Sequence, residues 1–160
     1  MQIQDIMVRD VITVSPAASI AEVADLLLHH GIHAVPVVDE RRKVVGIITE
    51  TDFFLKDSAA IHLPTYAEVV GKMGGTKNEA VLKGVPELRT LIEASAQDIM
   101  TPNCITLPDV ADVRDMITLV RMRHFKTFPV TDFSGKLVGI ITLIDVVKLI
   151  GKDLKIQEKK

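Results

Sequence analysis

The chain contains the same segment twice, at residues 4–55 and again at residues 97–148, with a constant offset of 93 positions and no gap. Both copies begin with Gln-Asp-Ile-Met, and both contain the sequence Val-Gly-Ile-Ile-Thr near their ends. An internal repeat constrains the fold more than any single motif does, because each copy is expected to form the same structural unit. Two copies are too few for a solenoid, so the repeat predicts one domain built from two similar halves.

The strands of each copy are predicted from short β-branched stretches. In the first copy, residues 11–14 form a short strand that ends at Ser15-Pro16. Residues 35–38 and 44–48 are nearly uniformly apolar, which is typical of strands buried on both faces. The charged residues between them predict a hairpin loop.

The helices are predicted from their end signals and apolar periodicity. Ser19 and Glu22 have the capping-box spacing, and Gly31 stands where a glycine ends a helix. Asp112 is the predicted N-cap in the second copy, and Thr49 and Thr142 start the closing helices. Each copy is therefore predicted to be a β-α-β-β-α unit, which gives an α/β (α+β) fold.

A three-stranded sheet covered on one face by two helices leaves its other face exposed, and a unit of about 50 residues is marginal alone. We therefore expect the two repeats to pack sheet to sheet about a pseudo-twofold axis. The predicted domains are repeat 1 at residues 1–57, a linker with helical segments at 58–96, and repeat 2 with a basic C-terminal tail at 97–160. Pro86 is the predicted first residue of a linker helix.

Composition excludes several classes of function. The formal net charge is −2, so no overall field favours nucleic acid or anionic lipid. No apolar run approaches the ~18 residues that a membrane helix needs, and the N-terminus lacks the features of a signal peptide. Cys104 is the single cysteine and lies in an apolar segment, which favours a buried thiol over a nucleophile. The sequence predicts a soluble, cytoplasmic protein.

The doubled pattern resembles the CBS domain pair, or Bateman module. The resemblance covers about two thirds of the chain and rests on motifs that recur in both copies, namely Asp5-Ile6-Met7, Ile12-Thr13-Val14, Pro36-Val37-Val38-Asp39 and Gly46-Ile47-Ile48-Thr49 with Asp52. It implies a regulatory, signal-transducing module without catalytic activity. Members of the family bind AMP, ADP, ATP, S-adenosylmethionine, NAD or cyclic dinucleotides between the two halves, and many form homodimers.

The resemblance also implies roles for particular residues. Adenine is expected against the first strands, near Thr13 and Thr106, and ribose is expected to meet Asp52 or Asp145. The bound ligand would change the angle or order of the halves and the linker, and this change would pass to an unidentified effector protein. No obligatory cofactor is implied.

Thr49-x-x-Asp52 and Thr142-x-x-Asp145 are the sharpest candidates for a ligand site. A carboxylate accepts well from two ribose hydroxyls, and a helix N-terminus offers free N–H groups to phosphate. The same spacing is also a capping box that needs no ligand. The two roles are compatible.

His33 and Lys126 occupy equivalent positions, three residues before the strand proline. In the family such residues face phosphate, and the expected grouping crosses the halves, with Lys126 beside Asp52 and His33 beside Asp145. The next residues, Ala34 and Thr127, are uncharged. The small number of positive charges disfavours a triphosphate as the ligand and leaves AMP, ADP or S-adenosylmethionine open. The alternative to a phosphate-binding role is that His33 and Lys126 are solvated loop charges.

Two rival functions remain at this point. One is a structural dimerisation or protein-interaction module whose clefts stay empty. The other is an enzyme acting on nucleotides, which the absence of a nucleophile–base pair and of a repeated metal-ligand set disfavours. His29, His30 and His33 are close in sequence, but Gly31 is expected to end the helix between them, so no metal site is predicted. The sequence names neither the ligand nor the partner.

Overall fold

The computed structural model describes residues 1–53, 57–58, 61–62, 94–123 and 125–157. Its α-helices are α1 Ile20–His30, α2 Ala96–Ile99, α3 Val113–Arg123 and α4 Leu143–Gln157, and its 3-10 turns are Ile3–Asp5 and Glu50–Phe53. Its strands are β1 Ala34–Val38, β2 Val44–Thr49, β3 Asp57–Ser58, β4 Ile61–His62, β5 Thr101–Pro102, β6 Leu107–Pro108, β7 Thr127–Thr131 and β8 Leu137–Thr142. The predicted linker helix at Pro86 and the last three residues of the tail lie outside the described residues.

Two three-stranded sheets form the framework, one with the strand order β1-β2-β5 and the other with the order β6-β7-β8. In the second sheet β6 runs parallel to β7, and β7 runs antiparallel to β8. Strands β3 and β4 form a separate antiparallel pair in the segment between the repeats, which the sequence did not predict. The mixed fold with two repeats is confirmed.

The chain forms two compact bodies that do not coincide with the two sequence copies. The first body contains residues 12–40 and 45–104, and the second contains residues 1–11, 41–44 and 105–160. Each body therefore holds the strand and helix framework of one copy together with the Asp-Ile-Met segment that begins the other.

The core of the first body is built on the apolar stripe of α1. Ile20, Val23 and Leu27 recur at helical spacing and are all buried against β1 and β2. The predicted capping box starts this helix, because Ser19 Oγ accepts from Glu22 N at 3.2 Å and Glu22 Oε2 accepts from Ser19 N at 2.8 Å. Gly31 ends it with a φ of 59°, a left-handed conformation that favours glycine.

The core of the second body repeats this pattern with different side chains. Val113 and Met116 on α3 are buried, while Ile117, which follows at the same helical spacing, is 39% exposed. Asp112 acts as the predicted N-cap, since its Oδ1 accepts from Arg114 N at 2.9 Å. Phe128 and Ile141 are completely buried in the same cluster.

A methionine covers a strand glycine in each body. Met100 lies against Gly46 of β2 in the first body, and Met7 lies against Gly139 of β8 in the second. A Cβ at either glycine would overlap the methionine side chain, so glycine is what permits the close approach of the Asp-Ile-Met segment to the sheet.

Two predicted elements of the first copy differ from the expectation. The predicted strand at residues 11–14 is reduced to a single parallel bridge between Val14 and Val37. Pro36 precedes this point and has no N–H to donate, which limits the ladder to the residues after it. After Thr49 the described residues form the 3-10 turn Glu50–Phe53, whereas the equivalent residues after Thr142 open the 15-residue helix α4.

Candidate functional site

Asp52 is held at the end of β2 by hydrogen bonds from three groups of the first body. Its Oδ2 accepts from Thr49 N at 2.7 Å and from Thr49 Oγ1 at 2.9 Å. Its Oδ1 accepts from Thr101 Oγ1 at 3.2 Å. The residue is only 7% exposed, and it is the one buried charged residue among the described part of the chain. A nearly buried carboxylate is stable only when it is hydrogen-bonded in this way.

Asp145 occupies the equivalent place at the start of α4 in the second body. Its Oδ2 accepts from Thr142 N at 2.9 Å and from Thr142 Oγ1 at 2.7 Å. Its side chain is 10% exposed, and Oδ1 lies 3.6 Å from Lys148 Nζ. The two Thr-x-x-Asp elements thus share the same internal geometry.

The capping role of both elements is therefore visible in the structure. In each, the aspartate satisfies the free backbone N–H of the threonine that ends the strand, which is one half of a capping box. This arrangement fixes the position of the carboxylate on a rigid strand end. A group fixed in this way is also well suited to accept hydrogen bonds from a ligand, because little conformational entropy is lost on binding.

The basic residues predicted to face phosphate lie beside the Thr-x-x-Asp element of their own copy. His33 Nδ1 lies 2.9 Å from Glu50 Oε1, and both side chains are largely exposed. The carbonyl of Lys126 accepts from Leu143 N at 2.9 Å, which places its backbone against the first residue of α4. The crossed grouping of Lys126 with Asp52 and of His33 with Asp145 stays a prediction.

Thr13 borders an open pocket of about 520 Å³ in the first body. The pocket is lined by residues 13–17, residues 38–40 and Gln97. It lies where the chain passes from Thr13 to α1, beside the end of β1. Its size is within the range of small-molecule sites. Thr13 is thus beside a concave surface, as an adenine-binding residue would need to be.

Thr106 and Thr142 are not neighbours within the second body. Thr106 precedes β6 at one edge of the sheet, Thr142 ends β8 at the other, and β7 lies between them. Two strand spacings separate them, or about 10 Å. The roles predicted for Thr106 at adenine and for Asp145 at ribose stay predictions.

Cys104, His29 and His30 lie outside the two Thr-x-x-Asp elements. Cys104 was predicted to be buried but is only partly buried, and this burial raises the pKa of its thiol, which favours the protonated form. His29 and His30 stack edge to face with ring centroids 5.2 Å apart. Within the described ranges, no three potential metal ligands stand together, and no helix combines the length and apolar character that crossing a membrane requires.

Sequence reasoning missed three neighbours of the two aspartates, namely Thr101, Glu50 and Lys148. Thr101 belongs to the second copy by sequence but to the first body by contact, and its repeat equivalent is Val8, so the repeat gave no signal for it. Lys148 could have been found, because it lies three residues after Asp145 on the same face of a predicted helix.

Comparison with known proteins finds one domain at two places in the chain, as the internal repeat predicts. A sequence profile of the CBS domain matches the chain twice, at residues 3–57 and 96–152. An uncharacterized protein of Methanopyrus kandleri is 30% identical over 141 residues, which is 88% of this chain and 58% of that protein. The chloroplastic CBS domain-containing protein CBSX2 of Arabidopsis thaliana is 27% identical over 139 residues, which is 84% of this chain and 56% of that protein. The chain thus spans less than two thirds of the length of these curated relatives.

Two solved structures share the fold and contain adenosyl ligands. The crystal structure of CBSX2 in complex with AMP has a TM-score of 0.69 at 23% identity and covers 94% of this chain and 97% of its own, a likeness that shows the fold alone. The CBS domain pair of protein MJ0100, crystallised with 5′-methylthioadenosine and S-adenosyl-L-methionine, has a TM-score of 0.66 at 27% identity. That match covers 96% of this chain and 98% of the MJ0100 chain.

Proposed function

Since the chain belongs to the CBS domain family and carries the domain twice, we propose that it is a regulatory module, not an enzyme, that binds adenosyl ligands through its Thr-x-x-Asp elements. The observation that carries the proposal is the pair of nearly buried carboxylates, Asp52 and Asp145, each fixed by its threonine in the same geometry. A ribose offers two adjacent hydroxyl donors, and a fixed carboxylate is the side chain that accepts them best.

The ligand class follows from the relatives and from the local charges. AMP occurs in the CBSX2 crystal, and 5′-methylthioadenosine and S-adenosyl-L-methionine occur in that of MJ0100. ATP and ADP carry more negative charge and need more cationic partners than AMP does. We therefore propose AMP, 5′-methylthioadenosine and S-adenosylmethionine as the first ligands to test, ahead of ADP and ATP.

Thermal unfolding tests this function directly. A ligand present at ~100 times its dissociation constant adds about 2.7 kcal/mol to the free energy of unfolding, which corresponds to roughly 5–10 °C in Tm for a chain of this size. We expect such a shift from at least one of the adenosyl compounds, and we expect Asp52→Asn together with Asp145→Asn to abolish it. If no compound shifts Tm and heat-denatured protein releases no nucleotide, the binding function is wrong.

The rival function is a structural dimerisation module, and exposed apolar residues on the helices favour self-association. Leu28 on α1 is 84% exposed, and Ile144 and Val147 on α4 are 55% and 52% exposed. Such residues are covered in many proteins by a second copy. We propose that the protein forms a homodimer whether it is a sensor or a structural module. As a sensor, the homodimer would act on an effector protein in the cytoplasm. Light scattering at micromolar concentration should give about twice the 17.6 kDa of the chain, and a value near 17.6 kDa would contradict the dimer.

A further inference from the structure

The Thr101 hydroxyl occupies part of the carboxylate that the proposed function assigns to ribose. Its Oγ1 donates to Asp52 Oδ1 at 3.2 Å, and both residues belong to the first body. Asp52 Oδ2 already accepts from Thr49 N at 2.7 Å and from Thr49 Oγ1 at 2.9 Å. A carboxylate has about four lone-pair directions, and the protein itself takes at least three of them here. A ribose that donates two hydrogen bonds to Asp52 must therefore break one of these bonds.

The bond from Thr101 is the one that breaks at the lowest cost. It is the longest of the three and joins residues 49 positions apart, whereas both bonds from Thr49 lie within one turn of the chain. Thr101 is exposed, so its hydroxyl can donate to water once it is displaced. Loss of a bond from Thr49 would instead leave a partly buried donor unpaired at the strand end. Thr101 is thus the donor that a ribose replaces.

Loss of this bond would loosen β5 from β2. Strand β5 has only two residues, and one of them, Pro102, has no N–H to donate to the pairing. The next residue, Asn103, donates its N–H to the Val45 carbonyl at 3.3 Å, which is long for such a bond. The side-chain bond from Thr101 to Asp52 therefore helps to hold β5 against β2.

The second body has the same pairing without the hydroxyl. Val8 is the repeat equivalent of Thr101. It pairs with Ile140, and Thr101 pairs with the equivalent Ile47. A valine side chain cannot donate a hydrogen bond, so Asp145 receives none from the side chain at this position. Positions 8 and 101 therefore form a matched pair in which the hydroxyl can be exchanged.

From these contacts we propose that a ribose bound at Asp52 displaces the Thr101 hydroxyl. Thr101 lowers the ligand affinity of this element by competing for the carboxylate, and β5 is the part of the first body that is released when the ligand binds. This role of Thr101 rests on the proposed function, because it requires that Asp52 holds ribose. It adds a residue that sets the affinity and a strand whose release reports that the element is occupied.

Titration calorimetry with adenosine, which supplies both ribose hydroxyls without a phosphate, tests this competition. In an Asp145→Asn background, which keeps Asp52 intact, Thr101→Val should raise the affinity about tenfold, because it removes a competing hydrogen bond to a charged group. Thr101→Ser keeps the hydroxyl and should keep the affinity of its parent. Val8→Thr, in an Asp52→Asn background, adds the hydroxyl to the second body and should weaken adenosine there.

The outcomes of this titration separate the competition from the proposed function. If adenosine binds and Thr101→Val leaves its affinity unchanged or lowers it, the competition is wrong and the proposed function stands. An affinity that Val8→Thr leaves unchanged or raises also counts against the competition. If neither adenosine nor any of the other adenosyl compounds binds the wild-type chain, the proposed function fails and the competition fails with it.

Hydrogen exchange at Asn103 tests the release of β5, with a readout that a purely structural role of Thr101 would not change. A bound ligand ordinarily slows exchange by stabilising the folded state. Saturating adenosine should nevertheless speed exchange of the Asn103 N–H severalfold, because its bond to the Val45 carbonyl opens. In Thr101→Val this exchange should be equally fast with and without adenosine. Slower exchange at Asn103 when adenosine is added to the wild type would overturn the release of β5.

Discussion

Positions 46 and 139 require glycine because their neighbours leave no room for a side chain. A Cβ at Gly46 would lie 2.6 Å from Met100 Sδ and 2.9 Å from the Thr101 carbonyl oxygen. The methionine can move, but the backbone carbonyl is less free to do so. The same close approach holds at Gly139, where the neighbours are Met7 and the Val8 carbonyl. The absence of a side chain at each glycine thus lets the Asp-Ile-Met segment pack directly against its sheet.

Gly46→Ala should therefore destabilise the protein by about 1–3 kcal/mol, the usual cost of overpacking. Adding Met100→Ala should recover only part of the loss, because the contact with the Thr101 carbonyl remains. Gly151→Ala is the control, since nothing lies within 4 Å of a Cβ there; in helix α4 it should stabilise by about 0.5–1 kcal/mol. Urea unfolding of the wild type and the three variants measures these differences, and equal stability of Gly46→Ala and wild type would show that the strand accommodates the extra methyl group at little cost.

Helix starts are the best-specified elements of the chain. Ser19 and Glu22 cap α1 reciprocally, and Ser95 and Asp98 form the same pairing at α2. Hydrogen bonds from these serines lower the pKa of Glu22 and of Asp98. A carboxylate whose pKa is lower in the folded state contributes stability above its unfolded pKa and loses that contribution as the pH falls through the folded pKa.

Ser19→Ala should cost about 1 kcal/mol at pH 7, because α1 loses its N-cap acceptor. The cost should shrink as the pH falls through the lowered folded-state pKa of Glu22, because the carboxyl group is then protonated and the charged pair with Ser19 is lost in the wild type too. Urea midpoints of wild type and variant at pH 7 and pH 3 provide the measurement. A difference that stays constant with pH would assign the loss to the hydroxyl alone and not to the charged pair.

Local signals explain which elements could be predicted from the sequence. The caps, the glycine stop at Gly31 and the two Thr-x-x-Asp elements are each encoded within four residues, and all appear as expected. The 3-10 turn after Thr49 was not expected. There, the Thr49 and Thr51 hydroxyls lie 2.8 Å apart, and such local side-chain bonds compete with a regular helix. Thr101 was missed as a partner of Asp52 because that contact joins residues 49 positions apart.

The exchange of segments between copies is a property of the whole molecule. Ile3 and Met7 come from repeat 1 but are buried in the second body with Leu107 and Phe128. Ile99 comes from the second copy but is buried in the first body with Val35. The repeat in the sequence could not reveal this, because an ungapped match describes what is similar and not what is in contact. Each body therefore needs residues from both copies to complete its core.

Ile3→Ala tests this dependence. Ile3 is completely buried, and such a truncation costs about 2–5 kcal/mol because it leaves a cavity. Since its neighbours belong to the second body, hydrogen exchange should accelerate in β7 and β8 more than in β1 and β2, although Ile3 lies in repeat 1. Ile99→Ala is the counterpart, with 1% exposure, and should accelerate exchange in β1 and β2. Loss of protection in β1 and β2 after Ile3→Ala, with β7 and β8 unchanged, would mean that each copy folds by itself. The expected pattern would make the two copies mutually dependent, because the core of each body is completed by the start of the other copy.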